Sequence, residues 1–171
     1  QGDYPRACRL LQEGLVLRKA VGKTAFIAST QGYLGIAVCE TGDLLEAERL
    51  LAGALQLSYT LEDNMMVAGV TSELGVVAQL RHEYEKATHY QQRALAMFNE
   101  LGFQAYTALV IARLGNLALL EADLASAHAY YAESLRVCRR TGSNRSLASG
   151  LEGLAGVAAL SGRAMQAAHI L

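Results

Sequence analysis

The feature that most constrains this chain is an internal repeat with a period of 40 residues. Leu34-Gly35 recurs as Leu74-Gly75, Leu114-Gly115 and Leu154-Ala155, and the register does not slip between these copies. A fixed period of this length is typical of repeat proteins, in which one supersecondary unit packs against its neighbours. We therefore expect a stack of similar units rather than a single layered domain.

Each repeat is predicted to contain two helices. The Leu-Gly pair lies in the first helix, and a recurrent alanine, such as Ala47, lies in the second. Short breaks such as Thr41-Gly42-Asp43 separate them, and glycine is a common residue just past a helix end. The pattern predicts a half repeat at residues 1–23, repeats at 24–63, 64–103 and 104–143, and an incomplete repeat at 144–171.

Glycine recurs inside the first helices, where it costs about 1 kcal/mol relative to alanine. We expect a gain to offset this cost, namely close approach of the second helix. The sequence predicts that small residues of the second helix face these glycines. The glycines are Gly35, Gly75 and Gly115, and the expected partners are Ala47, Ala87 and Ala127.

The order of these positions, illustrated by Leu114-Gly115, Ala118, Ala127 and Tyr131, resembles the tetratricopeptide repeat. The resemblance implies an all-α fold, a right-handed superhelix of stacked antiparallel helix hairpins (an α-solenoid), in a single array over residues 1–171. The period exceeds the usual 34 or so residues of that family. The long repeat is similar to the C-terminal helical arrays of LuxR/MalT-type and AfsR-type bacterial regulators. It also resembles the Leu-Gly-Asn repeats of eukaryotic polarity adaptors, although the overall sequence favours the bacterial arrays.

The resemblance implies a concave groove lined by the first helices. This lining is small and apolar with few polar groups, which suits an amphipathic helix or an apolar peptide. The alternative is that the same residues pack on flanking repeats of a longer protein. Because Arg113 alone offers a cation at the positions that form a carboxylate clamp in some relatives, a chaperone adaptor is not expected. The predicted groove residues are Ser29, Ile36, Cys39, Glu40, Ser72, Val76, Gln79, Leu80, Leu109, Ala112, Arg113, Asn116, Leu119, Leu120 and Glu152.

The composition of the chain argues against several classes of function. The net charge is −1 and no basic stripe is present, so we expect no direct nucleic-acid binding by this segment. The longest uncharged run, residues 24–39, is too short to cross a bilayer, and no signal peptide begins the chain. The three widely spaced cysteines form no Cys-x-x-Cys pair, which fits a reducing cytoplasm.

The sequence contains no pattern that predicts catalysis. No two histidines have the spacing of a helical metal site, and no nucleophile, base and acid fall into one register. Gly22-Lys23-Thr24 resembles the end of a phosphate-binding loop, but Leu17 stands where that loop needs glycine. We therefore predict no catalytic residue, no metal site and no cofactor, and a protein that is not an enzyme.

The predicted function is a protein-protein interaction scaffold that binds a peptide or partner domain in the groove, within a larger signalling or regulatory protein. An alternative is a ligand-sensing module of an ATP-dependent transcriptional regulator, and a remote alternative is an enzyme. The chain starts and stops within a repeat, which predicts a fragment. Its uncapped end, Ala167, Ala168, Ile170 and Leu171, predicts self-association end to end or by groove filling.

Overall fold

A computed structural model describes residues 2–142 and 146–162 of the chain, and every regular element in these ranges is an α-helix. The all-α prediction is confirmed. The even-numbered helices are the first helices of the repeats, and the odd-numbered ones are the second helices. In chain order they are α1 (Tyr4–Val21), α2 (Thr24–Glu40), α3 (Leu44–Thr60), α4 (Asn64–Leu80), α5 (Tyr84–Glu100), α6 (Gln104–Leu120), α7 (Leu124–Thr141) and α8 (Leu147–Leu160).

The chain forms two compact units, residues 1–90 and 91–171, and the boundary between them falls within α5. The division into one array with the predicted repeat limits stays a prediction. The predicted uncapped end at Ala167, Ala168, Ile170 and Leu171 lies outside the described residues, as do the rest of residues 163–171 of the incomplete repeat. None of the helices in the described part of the chain has the length and hydropathy needed to cross a membrane.

The helices are joined by links in which one residue adopts the left-handed conformation. These residues recur every 20 positions, at 22, 42, 62, 82, 102, 122, 142 and 162. Three of them are not glycine: Glu62 at φ 54°, His82 at φ 62° and Ala122 at φ 60°. The left-handed conformation is costly for residues with a Cβ atom, so these three links carry local strain that the glycine links lack.

The residue after the left-handed position often caps the next helix. Asp123 accepts a hydrogen bond from the backbone N–H of Ser126 at 3.0 Å. Hydrogen bonds from the side chain and backbone of Ser126 hold the pKa of the Asp123 carboxyl below its ordinary value. Asp3, Asp43 and Asp63 cap α1, α3 and α4 in the same way. These caps satisfy N–H groups that a helix start leaves without partners.

In the first unit, α2 and α3 pack through a glycine. A Cβ atom on Gly35 would lie 2.8 Å from Cγ and 3.3 Å from the backbone nitrogen of Leu51. Leu51 is fully buried, as is Ala47 one turn earlier. The expected close approach is therefore present, but the atoms nearest to Gly35 belong to Leu51 and not to Ala47.

In the second unit, the ring of Tyr131 lies between two glycines. A Cβ atom would lie 2.8 Å from the ring at Gly115 of α6 and 2.2 Å from it at Gly153 of α8. Tyr131 is fully buried and belongs to a cluster with Ala118 and Val157. One aromatic side chain of α7 thus fixes the packing of both first helices beside it.

Four charged residues of the first unit form a closed ring of ion pairs. Glu48 of α3 accepts hydrogen bonds from Arg81 and, at 2.8 Å, from Lys86. Glu83 accepts from Arg81 at 2.8 Å and from Lys86 at 3.0 Å. The ring ties α3 to the link between α4 and α5, so it holds consecutive hairpins together at the surface.

Candidate binding face on the first helices

Three sides of α2 are covered by neighbouring helices. Gln31 donates a hydrogen bond to the carbonyl of Leu50 in α3 at 3.2 Å, and Gly35 also faces α3. Thr30 accepts a hydrogen bond from Arg18 of α1. Gly32 faces α4, where Val70 lies 3.7 Å from the position of a Cβ atom. The fourth side of α2, opposite α3, is open.

The open side follows from helix geometry. Successive residues turn by about 100°, so positions 29, 33, 36 and 40 lie roughly opposite positions 31 and 35. We call these positions, and their equivalents 40 and 80 residues later, the open stripe. Tyr33 is 64% exposed, Leu80 48% and Leu120 52%. The stripe consists of Ser29, Tyr33, Ile36 and Glu40 in α2, Gly69, Glu73, Val76 and Leu80 in α4, and Leu109, Arg113, Asn116 and Leu120 in α6.

Most of the predicted groove residues lie on this stripe, and all of those are exposed or partly exposed. They are Ser29, Ile36 and Glu40 in α2, Val76 and Leu80 in α4, and Leu109, Arg113, Asn116 and Leu120 in α6. Which of them contact a partner stays a prediction.

The remaining predicted residues lie on the flank of the first helices. Cys39, Ser72 and Ala112 are buried, at 8%, 2% and 1% exposure. The direction of the side chains explains this for Cys39, which lies seven residues after Gly32 and so points the same way, toward α4. Leu119, at the position equivalent to 39, accordingly lies 3.7 Å from the place of a Cβ atom on Gly156 of α8.

Two further flank residues, Gln79 and Glu152, keep some contact with solvent. Gln79 is partly exposed and Glu152 is exposed. They extend the accessible surface beyond the open stripe, but only at its edge.

Tyr33 and Glu73, two stripe residues with large side chains, were absent from the predicted groove set. Tyr33 and Glu73 occupy the same repeat position as Arg113, which was predicted. The repeat register by itself predicts their direction, because a residue 40 or 80 positions from a groove residue faces the same way in its own repeat. Neither residue is a cation, so neither fits a carboxylate clamp.

The stripe differs in chemistry between the two units. In the first unit it offers aliphatic groups, the Tyr33 ring and the carboxylates of Glu40 and Glu73. In the second unit it offers leucines, Arg113 and Asn116. Tyr131 donates a hydrogen bond to Oδ1 of Asn116 at 2.6 Å. The Tyr131 hydroxyl is protonated at neutral pH, burial raises its pKa further, and its hydrogen bond holds the Asn116 amide in place.

Within the described residues, no three histidine, cysteine, aspartate or glutamate side chains gather in a group that could hold a metal ion. The stripe consists mainly of apolar side chains together with the amide of Asn116 and a few charged groups.

No protein-family model and no curated protein matches this sequence. Solved structures do match it. The chain aligns over 99% of its length with BtubC (BKLC) from P. vanneervenii, at a TM-score of 0.80 and 20% identity, and covers 71% of that protein. It aligns over 99% with the Pyrococcus horikoshii signal transduction ATPase with a tetratricopeptide repeat sensor, at a TM-score of 0.74 and 17% identity, and covers 26% of it.

A Rap protein complexed with Competence and Sporulation Factor also matches, at a TM-score of 0.76 and 15% identity. The alignment covers 98% of this chain and 57% of the Rap protein. This chain has a tetratricopeptide-like fold. At these levels of identity the likeness concerns the fold alone, which confirms the predicted class of helical hairpin repeats.

Proposed function

We propose that this chain is a protein-interaction module that binds a peptide or a partner domain along the open stripes of its first helices. The observation that carries the proposal is the repeated exposure of large apolar side chains at equivalent positions. Leu80 and Leu120 are 48% and 52% exposed, and Leu160 of α8, at the same position, is 66% exposed. Repeated apolar groups with sparse polar ones are typical of surfaces that bind peptides.

The expected partner is an amphipathic helix or an apolar peptide. Such a partner would bury the aliphatic groups and Tyr33, and it would bond with the few polar groups of the stripe. Asn116 is suited to this role because Tyr131 already holds its amide, which lowers the entropy cost of binding. The complex named in the matching Rap protein supports a binding role for this fold.

A binding role without catalysis or cofactor suits this surface. Acyl or phosphoryl transfer needs a nucleophile held beside a base or an array of oxyanion donors. The stripe instead carries aliphatic side chains and amides on the outside of helices, where water reaches them. We therefore propose that the chain is not an enzyme.

The proposal is tested with peptides selected from a random display library on the full chain. Ile36→Glu and Val76→Glu each place a charge on the open stripe, and we expect each to weaken the selected peptides at least tenfold. Leu45→Glu adds the same charge to α3 at a residue that is 71% exposed. It should leave binding unchanged. Equal affinity of all three variants and the wild type would exclude the stripe as the binding surface.

A second candidate is a ligand-sensing module of an ATP-dependent transcriptional regulator of the LuxR/MalT or AfsR type. The observation that favours it is the match to an ATPase described as carrying a tetratricopeptide repeat sensor. A ligand that binds the folded chain raises its midpoint of thermal unfolding. A thermal-shift screen of metabolites should therefore yield a hit if this function applies, and the absence of any stabilising metabolite would count against it.

We also propose that this segment self-associates through its ends or its groove, in a cytoplasmic setting within a larger protein. The outer face of α1 supports this proposal. Leu10 is 58% exposed, whereas Leu50, the equivalent residue of α3, is 3% exposed because α2 covers it. Light scattering over a range of concentrations should reveal oligomers. A monomer mass at high concentration would contradict the proposal.

A further inference from the structure

A cationic corner lies between the end of α1 and the start of α2, outside the open stripe. It borders an open cleft of about 270 Å³ that is lined by Leu17, Arg18, Val21, Lys23 and Phe26. Leu17 is 68% exposed, Val21 70% and Phe26 51%. The corner thus combines an apolar wall open to solvent with two positive charges.

Arg18 is held in place by its surroundings. Its Nη1 donates to the carbonyl of Phe26 at 3.2 Å and to the hydroxyl of Thr30. Its guanidinium carbon lies 5.5 Å from the centre of the Phe26 ring, which is the range of a cation–π contact. Both hydrogen bonds use Nη1, so the other guanidinium nitrogens keep their donors for a further acceptor.

Lys23 supplies the second charge. Its ammonium lies 5.8 Å from the centre of the Phe26 ring, on the same side chain that Arg18 contacts. The described residues provide neither Arg18 nor Lys23 with a carboxylate partner. Two cations are therefore held beside one aromatic ring without a neutralising acid.

The repeat register shows that this corner is particular to the junction of α1 and α2. Asp63 stands 40 residues after Lys23 and caps α4 by accepting from Met66 N–H at 3.0 Å. Ser58 stands 40 residues after Arg18, is fully buried and bonds within its own helix. The fold thus accommodates an acid and a small residue at these two positions, and both cations are absent from the next copy.

We propose that the corner binds the C-terminal residue of an apolar peptide. The terminal carboxylate accepts hydrogen bonds from Arg18 and Lys23, and the last side chain packs on Leu17, Val21 and Phe26. Charge-assisted hydrogen bonds to a carboxylate are among the stronger polar contacts, and Arg is well suited to carboxylate geometry. A peptide end joins a carboxylate to an apolar side chain, and this combination matches the two cations and the apolar wall of the corner, which is why the proposal concerns a peptide end rather than an internal segment.

This inference goes beyond the proposed function, because no residue of the open stripe lines the corner. The probe is the tetrapeptide acetyl-Ala-Ala-Leu-Phe with a free C-terminal carboxylate, titrated calorimetrically into the full chain. Its C-terminal amide serves as the matched control. We expect the acid to bind at least tenfold more tightly than the amide, as for loss of one charge-assisted hydrogen bond. Equal affinities would overturn the proposal, as would a failure of the acid to bind.

Substitutions at Lys23 test the charge without endangering the fold. Lys23→Asn and Lys23→Asp both introduce a residue that caps helices well, so each should stabilise the start of α2. We expect Lys23→Asn to weaken the acid about tenfold and Lys23→Asp to weaken it further, with little effect on the amide. Unchanged binding of the acid by Lys23→Asp would overturn the proposal.

Two further measurements distinguish a terminal carboxylate from an internal one and the corner from the open stripe. An amidated peptide that carries an internal aspartate should bind at least tenfold more weakly than the acid. If it binds as tightly, the assignment to a terminal carboxylate is overturned. Ile36→Glu should leave the affinity for the acid unchanged. The proposal of binding along the open stripe and the proposal of binding at the corner can therefore be contradicted independently.

Discussion

Two hairpins, α2 with α3 and α6 with α7, share one repeat register. They differ in the side chain of the second helix that packs against the glycine of the first helix. Leu51 lies against Gly35 in the first, and Tyr131 lies against Gly115 in the second. The aromatic ring also reaches Gly153 of α8, and its hydroxyl reaches Asn116.

The exchange of leucine for tyrosine therefore has two consequences. The tyrosine ring requires a second glycine, Gly153 of α8. The equivalent residue of α2 is the exposed Tyr33. Tyr131 also fixes an amide of the open stripe. One position of the repeat thus sets the packing inside a hairpin and the chemistry of the surface that a partner would meet.

We expect the largest effect from a methyl group added at each glycine. Gly153→Ala places a carbon 2.2 Å from the buried ring of Tyr131, and we expect a loss of about 3 kcal/mol in the free energy of unfolding. Gly35→Ala meets Cγ of Leu51 at 2.8 Å and its backbone nitrogen at 3.3 Å, and because this overlap is smaller than that with the ring we expect a smaller loss of about 2 kcal/mol. Urea denaturation measures both changes.

The matched control in α8 is Gly156→Ala, where the nearest atom, of Leu119, lies at 3.7 Å. This variant should gain up to about 1 kcal/mol from helix propensity. Tyr131→Leu should rescue Gly153→Ala, since it restores the combination found in the first unit. If Gly153→Ala is as stable as Gly156→Ala, the ring does not require the glycine.

A buried hydroxyl distinguishes α4 from α6. Thr71 is fully buried and its Oγ1 has no hydrogen-bond partner, whereas Ile111 occupies the equivalent position of the second unit. Thr71→Val keeps the shape and removes the unpaired group, so we expect a gain of about 1.5 kcal/mol in the free energy of unfolding. Thr71→Ser, which keeps the hydroxyl, should instead lose stability. A loss in both variants, seen in the same denaturation experiment, would mean that the hydroxyl is satisfied.

The links between helices offer a third comparison. Ala122 adopts φ 60° where the first unit has Gly42 at φ 90°. Ala122→Gly should gain about 1 kcal/mol, because glycine adopts this conformation without strain. Gly42→Ala should lose a similar amount. Thermal unfolding of the two variants should shift the midpoint in opposite directions, and a shift in the same direction would contradict the assignment of strain.

The smallest expected effect concerns the ion-pair ring of the first unit. In the second unit Glu121, Asp123 and Ser126 stand at the positions of Arg81, Glu83 and Lys86, so this ring has no counterpart there. Hydrogen bonds from Lys86, followed by the charges of Lys86 and Arg81, lower the pKa of Glu83 below its ordinary 4.5. The stabilisation it gives is therefore present above that value and is lost as the pH falls through the lower folded-state pKa.

Glu83→Gln should accordingly reduce the stability of the chain at pH 7 and should have less effect in acid. Urea unfolding at a series of pH values measures the difference between variant and wild type. Glu13→Gln, at an exposed residue without an ion-pair partner among the described ones, provides the control. A difference that grows as the pH falls would contradict the sign of the pKa shift.

The helices and their register could be predicted from sequence because their signals are local. Leu34-Gly35, the glycine of Thr41-Gly42-Asp43 and the capping aspartates each act within a few residues. Left-handed Glu62, His82 and Ala122 carry no such signal, and only their spacing of 20 residues from the glycine links marks them.

The open stripe could be predicted only in part, because the direction of a side chain depends on contacts between repeats. Cys39, Ser72 and Ala112 are buried at flank positions that the family pattern does not separate from the stripe. Similarly, nothing in the sequence distinguishes Leu51 from Ala47 as the partner of Gly35. Either residue is compatible with the spacing of the repeat. The rotation of α3 about its axis relative to α2 determines which of the two contacts Gly35.

The most direct test of the account is a methyl NMR titration of the full chain with a library-selected peptide. We predict that the methyl signals of Ile36, Val76 and Leu109, on the open stripes of α2, α4 and α6, shift as the peptide is added. Those of Leu45 and Leu135, on the second helices α3 and α7, should stay in place. Shifts confined to second-helix methyl groups would contradict the assignment of the first helices as the binding face.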